Sequence, residues 1–210
     1  MSTTFYLVRH AIKEKASGDV KITEEGIKQA ESTAKRFNHI PITAIYSSPL
    51  RRAKETAVFI AQENKLPVAV DDRLRERANW GDLTGQTFEE FVAMWERCTH
   101  EPEYIPTIGD TSKQAGKRLA SLLTELTELT ELTETQPLQS SIVIVTHGGL
   151  ITDFLVHSFP VHELDVWHPD FVAVQNQLIP ECSVTTLSCE KGKFKILDFA
   201  SVEHLKPKYL

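Results

Sequence analysis

Three segments of the chain carry side chains that suit the binding of an anion. One apolar run ends in Arg9 and His10, a second ends in His147 followed by Gly148, and a helical pattern opens with Arg52. Arginine can contact a phosphate through two N–H groups at once, and a helix N-terminus attracts anions. Taken singly, each residue has a more ordinary interpretation as a structural histidine, a turn glycine or a solvated arginine. Their joint occurrence predicts a phosphate site.

The elements that must position these residues form an alternating pattern. The apolar runs 5–8 and 142–145 suit strands buried on both faces of a parallel sheet, and 42–46 and 68–70 are weaker strand candidates. Helical patterns lie between the strands, at 23–38, after Pro49, at 88–97 and from about 111 onward. This alternation predicts an α/β fold, a three-layer sandwich whose mostly parallel central sheet has helices on both faces.

The end of the chain differs from this pattern, because segments 183–187 and 194–197 predict an antiparallel C-terminal hairpin at the sheet edge. In the parallel part, the C-terminal ends of the strands lie along one edge, where ligands bind. His10, Arg52 and His147 are therefore expected to converge there.

Composition limits the class of protein. With 210 residues, 41% of them hydrophobic, we expect a single domain over 1–210 with a small insertion or lid at about 75–110. The net charge of −6 argues against a nucleic-acid partner. Three irregularly spaced cysteines, the lack of a basic leader and the lack of a membrane-length apolar run favour a cytoplasmic protein without membrane contact. The sequence does not predict an oligomeric state.

A low-complexity stretch at 124–135 repeats Thr-Glu-Leu. Its leucines recur every three residues, so their stripe drifts around a helix of 3.6 residues per turn. An elongated helix with a partly exposed end is favoured over a partner-binding seam. The leucines concerned are Leu123, Leu126, Leu129 and Leu132.

Five motifs, in order along the chain, resemble the histidine phosphatase superfamily, which is related to the phosphoglycerate mutases. Arg-His-Ala at 9–11 is similar to the Arg-His-Gly that ends the first strand of that family, with Ala11 in place of glycine. The other matching segments are Thr-Glu-Glu-Gly-Ile-Lys-Gln-Ala at 23–30, Ser-Pro-Leu-Arg-Arg-Ala-Lys-Glu-Thr-Ala at 48–57, the acidic segment at 74–77 with 81–85, and Thr-His-Gly-Gly at 146–149.

The resemblance implies that His10 attacks phosphorus to form a phosphohistidine, which water later hydrolyses. Arg9, Arg52 and His147 would hold the phosphoryl oxygens, and the two arginines should keep His10 neutral near pH 7. Glu76 is the implied proton donor and, later, the base that activates water. Its alternative is a surface residue paired with the arginines around it, which are Arg73, Arg75 and Arg77.

Phosphatase and mutase activities are both known in this family. Mutases carry a longer segment after the nucleophile and an arginine pair in the insertion, whereas here 10–22 is short and 80–109 contains only Arg97. A phosphatase acting on a small phosphorylated metabolite is therefore favoured. A non-catalytic phospho-ligand-binding protein stays open, because Ala11 and Gly149 depart from the family pattern.

No metal or cofactor is expected. His157, His162 and His168 lack the usual spacing of zinc ligands, and no nucleotide-binding glycine motif occurs. The aromatic residues of the insertion either form a substrate-selecting lid or, as expected for most of them, pack in its core. They are Trp80, Phe88, Phe91, Trp95 and Tyr104.

Overall fold

The computed structural model describes residues 2–132 and 139–206. Its strands are β1 (Ser2–Arg9), β2 (Ala44–Ser47), β3 (Val68–Val70), β4 (Gln139–Thr146), β5 (Val184–Glu190) and β6 (Lys193–Ser201). Its α-helices are α1 (Glu24–Arg36), α2 (Arg51–Asn64), α3 (Phe88–His100), α4 (Ser112–Leu132), α5 (Gly148–Ser158), α6 (Val161–Leu164) and α7 (Phe171–Val174). Short 3-10 turns lie at Asp72–Leu74, Gln175–Gln177 and Glu203–Leu205.

The strands form one mixed sheet in the order β3-β2-β4-β1-β5-β6. The first four are parallel to one another, while β5 is antiparallel to both β1 and β6. The predicted α/β class, the mostly parallel sheet and the antiparallel hairpin at its edge are confirmed. Since β1 and β4 are central, the residues that follow them lie in the middle of the C-terminal edge.

Two apolar cores lie on opposite faces of the sheet. On β1, Phe5 and Leu7 pack into the core formed with α4 and α5, whereas Val8 packs into the core formed with α1 and α2. Ile144 and Val145 of β4 divide between the same two cores. Strands buried on both faces read as continuous apolar runs, which is why these two runs were recognisable as central strands.

Side-chain caps fix where the helices begin. The Thr23 hydroxyl accepts from the Gly26 N–H at the start of α1. Thr87 and Glu90 form a reciprocal capping box at the start of α3, within the segment 75–110. The capping box therefore fixes the residue at which α3 begins.

The segment between α5 and β5 was not predicted as structured. It contains α6, α7 and a 3-10 turn, whose short elements leave no helical periodicity to detect. Strand β2 begins at Ala44, two residues later than predicted, and β4 extends to Gln139 and Thr146 on either side of its predicted core.

Helix α4 has the expected drifting leucine stripe. Leu123 and Leu126 are buried, whereas Leu129 and Leu132 are 53% and 79% exposed. The last repeat residues, 133–135, lie outside the described part of the chain. Among the described residues, no helix combines the length and the apolarity needed to cross a lipid bilayer.

Candidate active site

The two histidines predicted to converge lie side by side at the ends of the central strands. His10 follows β1 and His147 follows β4, and the register pairs Arg9 with Thr146. The His10 N–H donates to the Thr146 carbonyl at 2.9 Å, and the two imidazole centroids are 5.2 Å apart. Both rings are buried. The backbone pairing of the sheet thus sets the distance between them.

His10 is held by a hydrogen bond at each ring nitrogen. Its Nδ1 lies 2.8 Å from the Ala11 carbonyl oxygen, which can only accept, so Nδ1 carries the proton. The unprotonated Nε2 accepts from the Arg52 Nε–H at 3.1 Å. Nε2 is the nitrogen with a lone pair, and it points into the cationic end of the site.

The pKa of His10 is held well below its usual value of 6.5. Burial of the ring is the largest cause, followed by the positive charge of Arg52 and, with smaller effects, of Arg9 and Lys13. The sequence predicts a neutral His10 from the charge of the two arginines alone. The direction was right, but desolvation contributes more than the charges do.

Arg52 lies in the first turn of α2 and is 3% exposed. Its Nη1 donates to the Asn79 side-chain oxygen at 3.1 Å, which fixes the plane of the guanidinium over His10. Asn79 was not singled out from the sequence. Only its place between the family-matching stretches 74–77 and 81–85 could have drawn attention to it.

His147 leaves one ring nitrogen available. Its Nε2 lies 2.8 Å from the Ser48 hydroxyl, which already accepts from the Leu50 N–H. Ser48 is therefore free to donate to Nε2, and in that tautomer the ring proton is on Nδ1. Nδ1 is buried and has no hydrogen-bond partner among the described residues. Burial, followed by the charge of Arg52, lowers the pKa of His147 as well, so a neutral ring can donate from Nδ1 to an anion.

Arg9 is partly engaged within the protein. Its guanidinium donates to the Ile179 carbonyl and to the Glu181 carboxylate. Its buried Nε has no partner among the described residues, and the side chain packs against Gly148 at the N-terminus of α5. Arg9 thus adds charge and an unused N–H to the site, while Glu181 offsets part of that charge.

Glu76 is not paired with its neighbouring arginines. Its carboxylate accepts from the backbone N–H groups of Arg77 and Gly149, each at 3.1 Å. The three arginines pair with other carboxylates: Arg73 with Asp71 and Glu125, Arg75 with Asp82, and Arg77 with Asp153. The surface ion-pair interpretation of Glu76 is therefore wrong for all three arginines, and the carboxylate lines the cavity beside His10.

Arg9, His10, Arg52 and Glu76 line a cavity of about 350 Å³, whereas the buried His147 is not among its lining residues. Four of the five aromatic residues named above contribute to its wall, so the expectation that most of them form an internal core was wrong. Tyr104 is the exception, because it stacks on the Arg97 guanidinium at 3.9 Å outside the cavity. The lining residues that sequence reasoning missed are Lys13, Ala78, Asn79, Thr152, Gln175, Asn176, Ile179 and Glu181.

A buried ion pair anchors the segment that carries Glu76. Arg77 and Asp153 are 2.6 Å apart, and each side chain is 1% exposed. The Arg77 guanidinium also stacks 3.7 Å from the Trp95 ring centroid and donates to Thr99. Burial raises the pKa of Asp153, and the charge of Arg77 opposes that shift. A single sequence gives no signal for this pair, because its members are far apart along the chain.

Comparison with known protein families agrees with the arrangement of the site. Residues 5–201 match the profile of the Histidine phosphatase superfamily (branch 1). The chain belongs to the histidine phosphatase superfamily. The family predicted from the five motifs is thereby confirmed.

Three relatives illustrate the range of this superfamily. Fructose-2,6-bisphosphatase TIGAR of Xenopus tropicalis is 34% identical over 105 residues, 48% of this chain and 38% of that protein. Phosphoserine phosphatase 1 of Hydrogenobacter thermophilus is 30% identical over 151 residues, 67% of this chain and 69% of that protein. The structure of phosphoserine phosphatase from Entamoeba histolytica in complex with 3-phosphoglyceric acid is 26% identical, with a TM-score of 0.72 over 97% of this chain and 100% of that one. The chain thus matches well under half of the Xenopus protein.

No metal cluster accompanies the site in the part of the chain that is described. There, no three histidine, cysteine or acidic side chains are grouped so that they could hold an ion. His157, one of the histidines considered above, instead lies with its Nε2 3.2 Å from the Ser112 hydroxyl.

Proposed function

We propose that this protein is a metal-independent phosphatase that hydrolyses a small phosphomonoester through a phosphohistidine on His10. The observation that carries the proposal is the tautomer of His10. Its Nδ1 proton is committed to the Ala11 carbonyl, which leaves the Nε2 lone pair facing Arg52. A neutral imidazole with its unprotonated nitrogen at a cationic strand end is arranged as a nucleophile for phosphorus.

In the first step, Nε2 attacks phosphorus while the bond to the ester oxygen breaks. The incoming phosphate takes over N–H groups of Arg52 and so frees Nε2. Protonated Glu76 gives its proton to the departing alkoxide, which is otherwise a poor leaving group. The products of this step are the alcohol, a phosphohistidine and the Glu76 carboxylate.

In the second step, the Glu76 carboxylate takes a proton from water as the water oxygen attacks phosphorus. The phosphorus–nitrogen bond breaks, inorganic phosphate leaves, and His10 and Glu76 return to their starting protonation states. The phosphate is held throughout by Arg9, Arg52, the His147 Nδ1–H and the helix N-terminus at Gly148. Preorganised donors of this kind stabilise the transition state by about 3–4 kcal/mol each in favourable cases.

The position of Arg97 supports a phosphatase over a mutase. It lies on the exposed face of α3, pairs with Glu101 and stacks on Tyr104. It is therefore unavailable to grip a second anionic group of a substrate inside the cavity. The phosphatase names of the three relatives also support this activity and a small phosphorylated metabolite as substrate.

The non-catalytic alternative rested on Ala11 and Gly149. Ala11 acts through its backbone, which accepts from His10 and donates to Thr56, so its methyl group removes no contact. Gly149 supplies an N–H to Glu76. Neither departure from the family pattern removes a group that the reaction needs.

Three further expectations remain part of the proposal. We place the protein in the cytoplasm, because its three cysteines are free and buried. We expect residues 1–210 to act as one domain with a lid at 75–110. We expect neither nucleic acid nor membrane among its partners, in keeping with a net charge of −6.

The test is hydrolysis of p-nitrophenyl phosphate in the presence of EDTA. Wild-type protein should turn over the ester, and His10→Ala should reduce the rate to background. Binding of inorganic phosphate without any turnover would instead support the phospho-ligand-binding alternative.

A further inference from the structure

We propose that this site selects phosphomonoesters whose leaving group is uncharged and has a flat apolar or aromatic face, and that it discriminates against those bearing a second anionic group. The inference rests on the proposed phosphatase activity and specifies its substrate class. It follows from how charge and aromatic surface are divided between the two ends of the cavity.

All cationic side chains among the described lining residues lie at the nucleophile end. They are Arg9, Lys13 and Arg52, and each is close enough to His10 to lower its pKa. The remaining charged lining residues are the carboxylates Glu76 and Glu181. Away from the nucleophile end, a carboxylate or second phosphate on the leaving group would therefore meet no cation among the described lining residues.

The opposite end presents aromatic rings. Trp80 packs edge-on against Phe88 with centroids 5.1 Å apart, and Phe91 lies 5.9 Å from Trp95. Both indole N–H groups are already used, Trp80 by the Gln86 carbonyl and Trp95 by the Asn176 side chain. The tryptophans thus offer ring surface rather than hydrogen-bond donors to a ligand.

Gly149 brings one of these rings next to the proton donor. A Cβ at this position would lie 2.5 Å from the Trp95 ring and 2.8 Å from a Glu76 carboxylate oxygen. Any side chain there would displace the ring or the carboxylate. Because Glu76 must reach the ester oxygen, the group attached to that oxygen lies beside Trp95. Gly149 thus allows the Trp95 ring to lie beside Glu76, and the leaving group contacts this ring while it receives its proton.

Phosphoserine and 3-phosphoglycerate each carry a carboxylate near the phosphate. If the charge division governs selectivity, this chain should handle them poorly, in contrast to what the names of two of its relatives indicate for those proteins. The contrast can be measured with alkyl esters, which all need protonation by the same acid.

The experiment compares kcat/KM for 2-phenylethyl phosphate, glycerol phosphate, phosphoserine and 3-phosphoglycerate. We expect the phenylethyl ester to exceed both carboxylates by tenfold or more. Trp95→Ala should reduce kcat/KM for the phenylethyl ester by about tenfold through KM, as expected for loss of an aromatic contact and its buried area. Because Trp95 also stacks on Arg77, the readout is the ratio of kcat/KM for the phenylethyl ester to that for glycerol phosphate. Glycerol phosphate should lose less than the phenylethyl ester, and Trp95→Phe should restore most of the ratio.

Trp167→Ala is the matched control, because Trp167 lies outside the cavity against Phe199. If Trp95→Ala does not fold, Phe88→Ala removes a half-exposed ring of the same wall and should reduce the same preference. Equal or better turnover of the carboxylates, or an equal loss on all esters, would overturn the inference while leaving the phosphatase proposal intact. Absence of turnover and of a phosphoenzyme with every ester would overturn both.

Discussion

The two sides of the cavity are built in different ways. Strands β1 and β4 fix the positions of His10 and His147. The backbone hydrogen bond between His10 and Thr146 joins the ends of these two strands directly. The aromatic side is held by side-chain contacts over long sequence separations, such as Arg77 with Asp153 and Trp95 with Asn176. We infer that the sheet sets the chemistry common to all esters, whereas the aromatic side determines which ester is accepted.

Glu76 stands between the two sides and gives the largest expected effect. Glu76→Gln should slow cleavage of an alkyl phosphate by about 100- to 10,000-fold, the range typical of general acid catalysis. Cleavage of p-nitrophenyl phosphate should slow far less, because p-nitrophenolate leaves without a proton. Single-turnover rates of ester cleavage measure both. Glu125→Gln, which alters an exposed carboxylate paired with Arg73, is the control, and equal losses on the two esters would rule out a proton donor.

The buried ion pair between Arg77 and Asp153 should matter most for the stability of the aromatic side. Arg77→Met leaves Asp153 buried without its partner, which typically costs about 3–5 kcal/mol. Arg97→Ala breaks an exposed pair with Glu101 and should cost less than about 1 kcal/mol. Urea unfolding of the two variants provides the comparison. Similar losses would show that the Arg77 contact does not anchor this segment.

Arg52 tests the strand-end side. Arg52→Ala should lower kcat by about 100- to 1,000-fold for every ester, because it removes a charged donor from the phosphate. Arg51→Ala changes the adjacent residue, which is exposed and paired with Glu55, and should leave kcat unchanged. A loss in the Arg52 variant that depended on the leaving group would break the division between the two sides.

The strand-end side should also make stability depend on pH. Because the folded-state pKa of His10 lies below 6.5, the unfolded chain binds more protons as pH falls through 6.5. Stability is therefore lost on acidification. Between pH 7.5 and 5.5, the wild-type protein should lose about 1.4 kcal/mol more unfolding free energy than His10→Asn. Urea midpoints at the two pH values measure this, and equal slopes would mean that His10 is not buried in its neutral form.

The same division explains what could be predicted from the sequence. The strand-end residues follow continuous apolar runs, and parallel topology alone brings such ends together, so His10 and His147 were recognisable as neighbours. Arg52 was predictable in the same way, because it lies in the first turn of the helix that follows strand β2. Local pattern and topology sufficed for this half of the site.

The aromatic side could not be predicted in this way, because its contacts join residues that are far apart in the sequence. Nothing near Arg77 in the sequence indicates Asp153 as its partner, and nothing near Trp95 indicates Asn176. The short elements between α5 and β5 lack the periodicity that identifies longer helices. Which aromatic residues face the cavity therefore emerged only from the three-dimensional arrangement.

The most direct measurement is to quench the reaction with radiolabelled ester within one turnover and to recover the protein. If His10 carries the phosphoryl group, wild-type protein will hold an acid-labile label that maps to the peptide containing His10, and His10→Ala will hold none. An acid-stable label, or label retained by His10→Ala, would contradict the account.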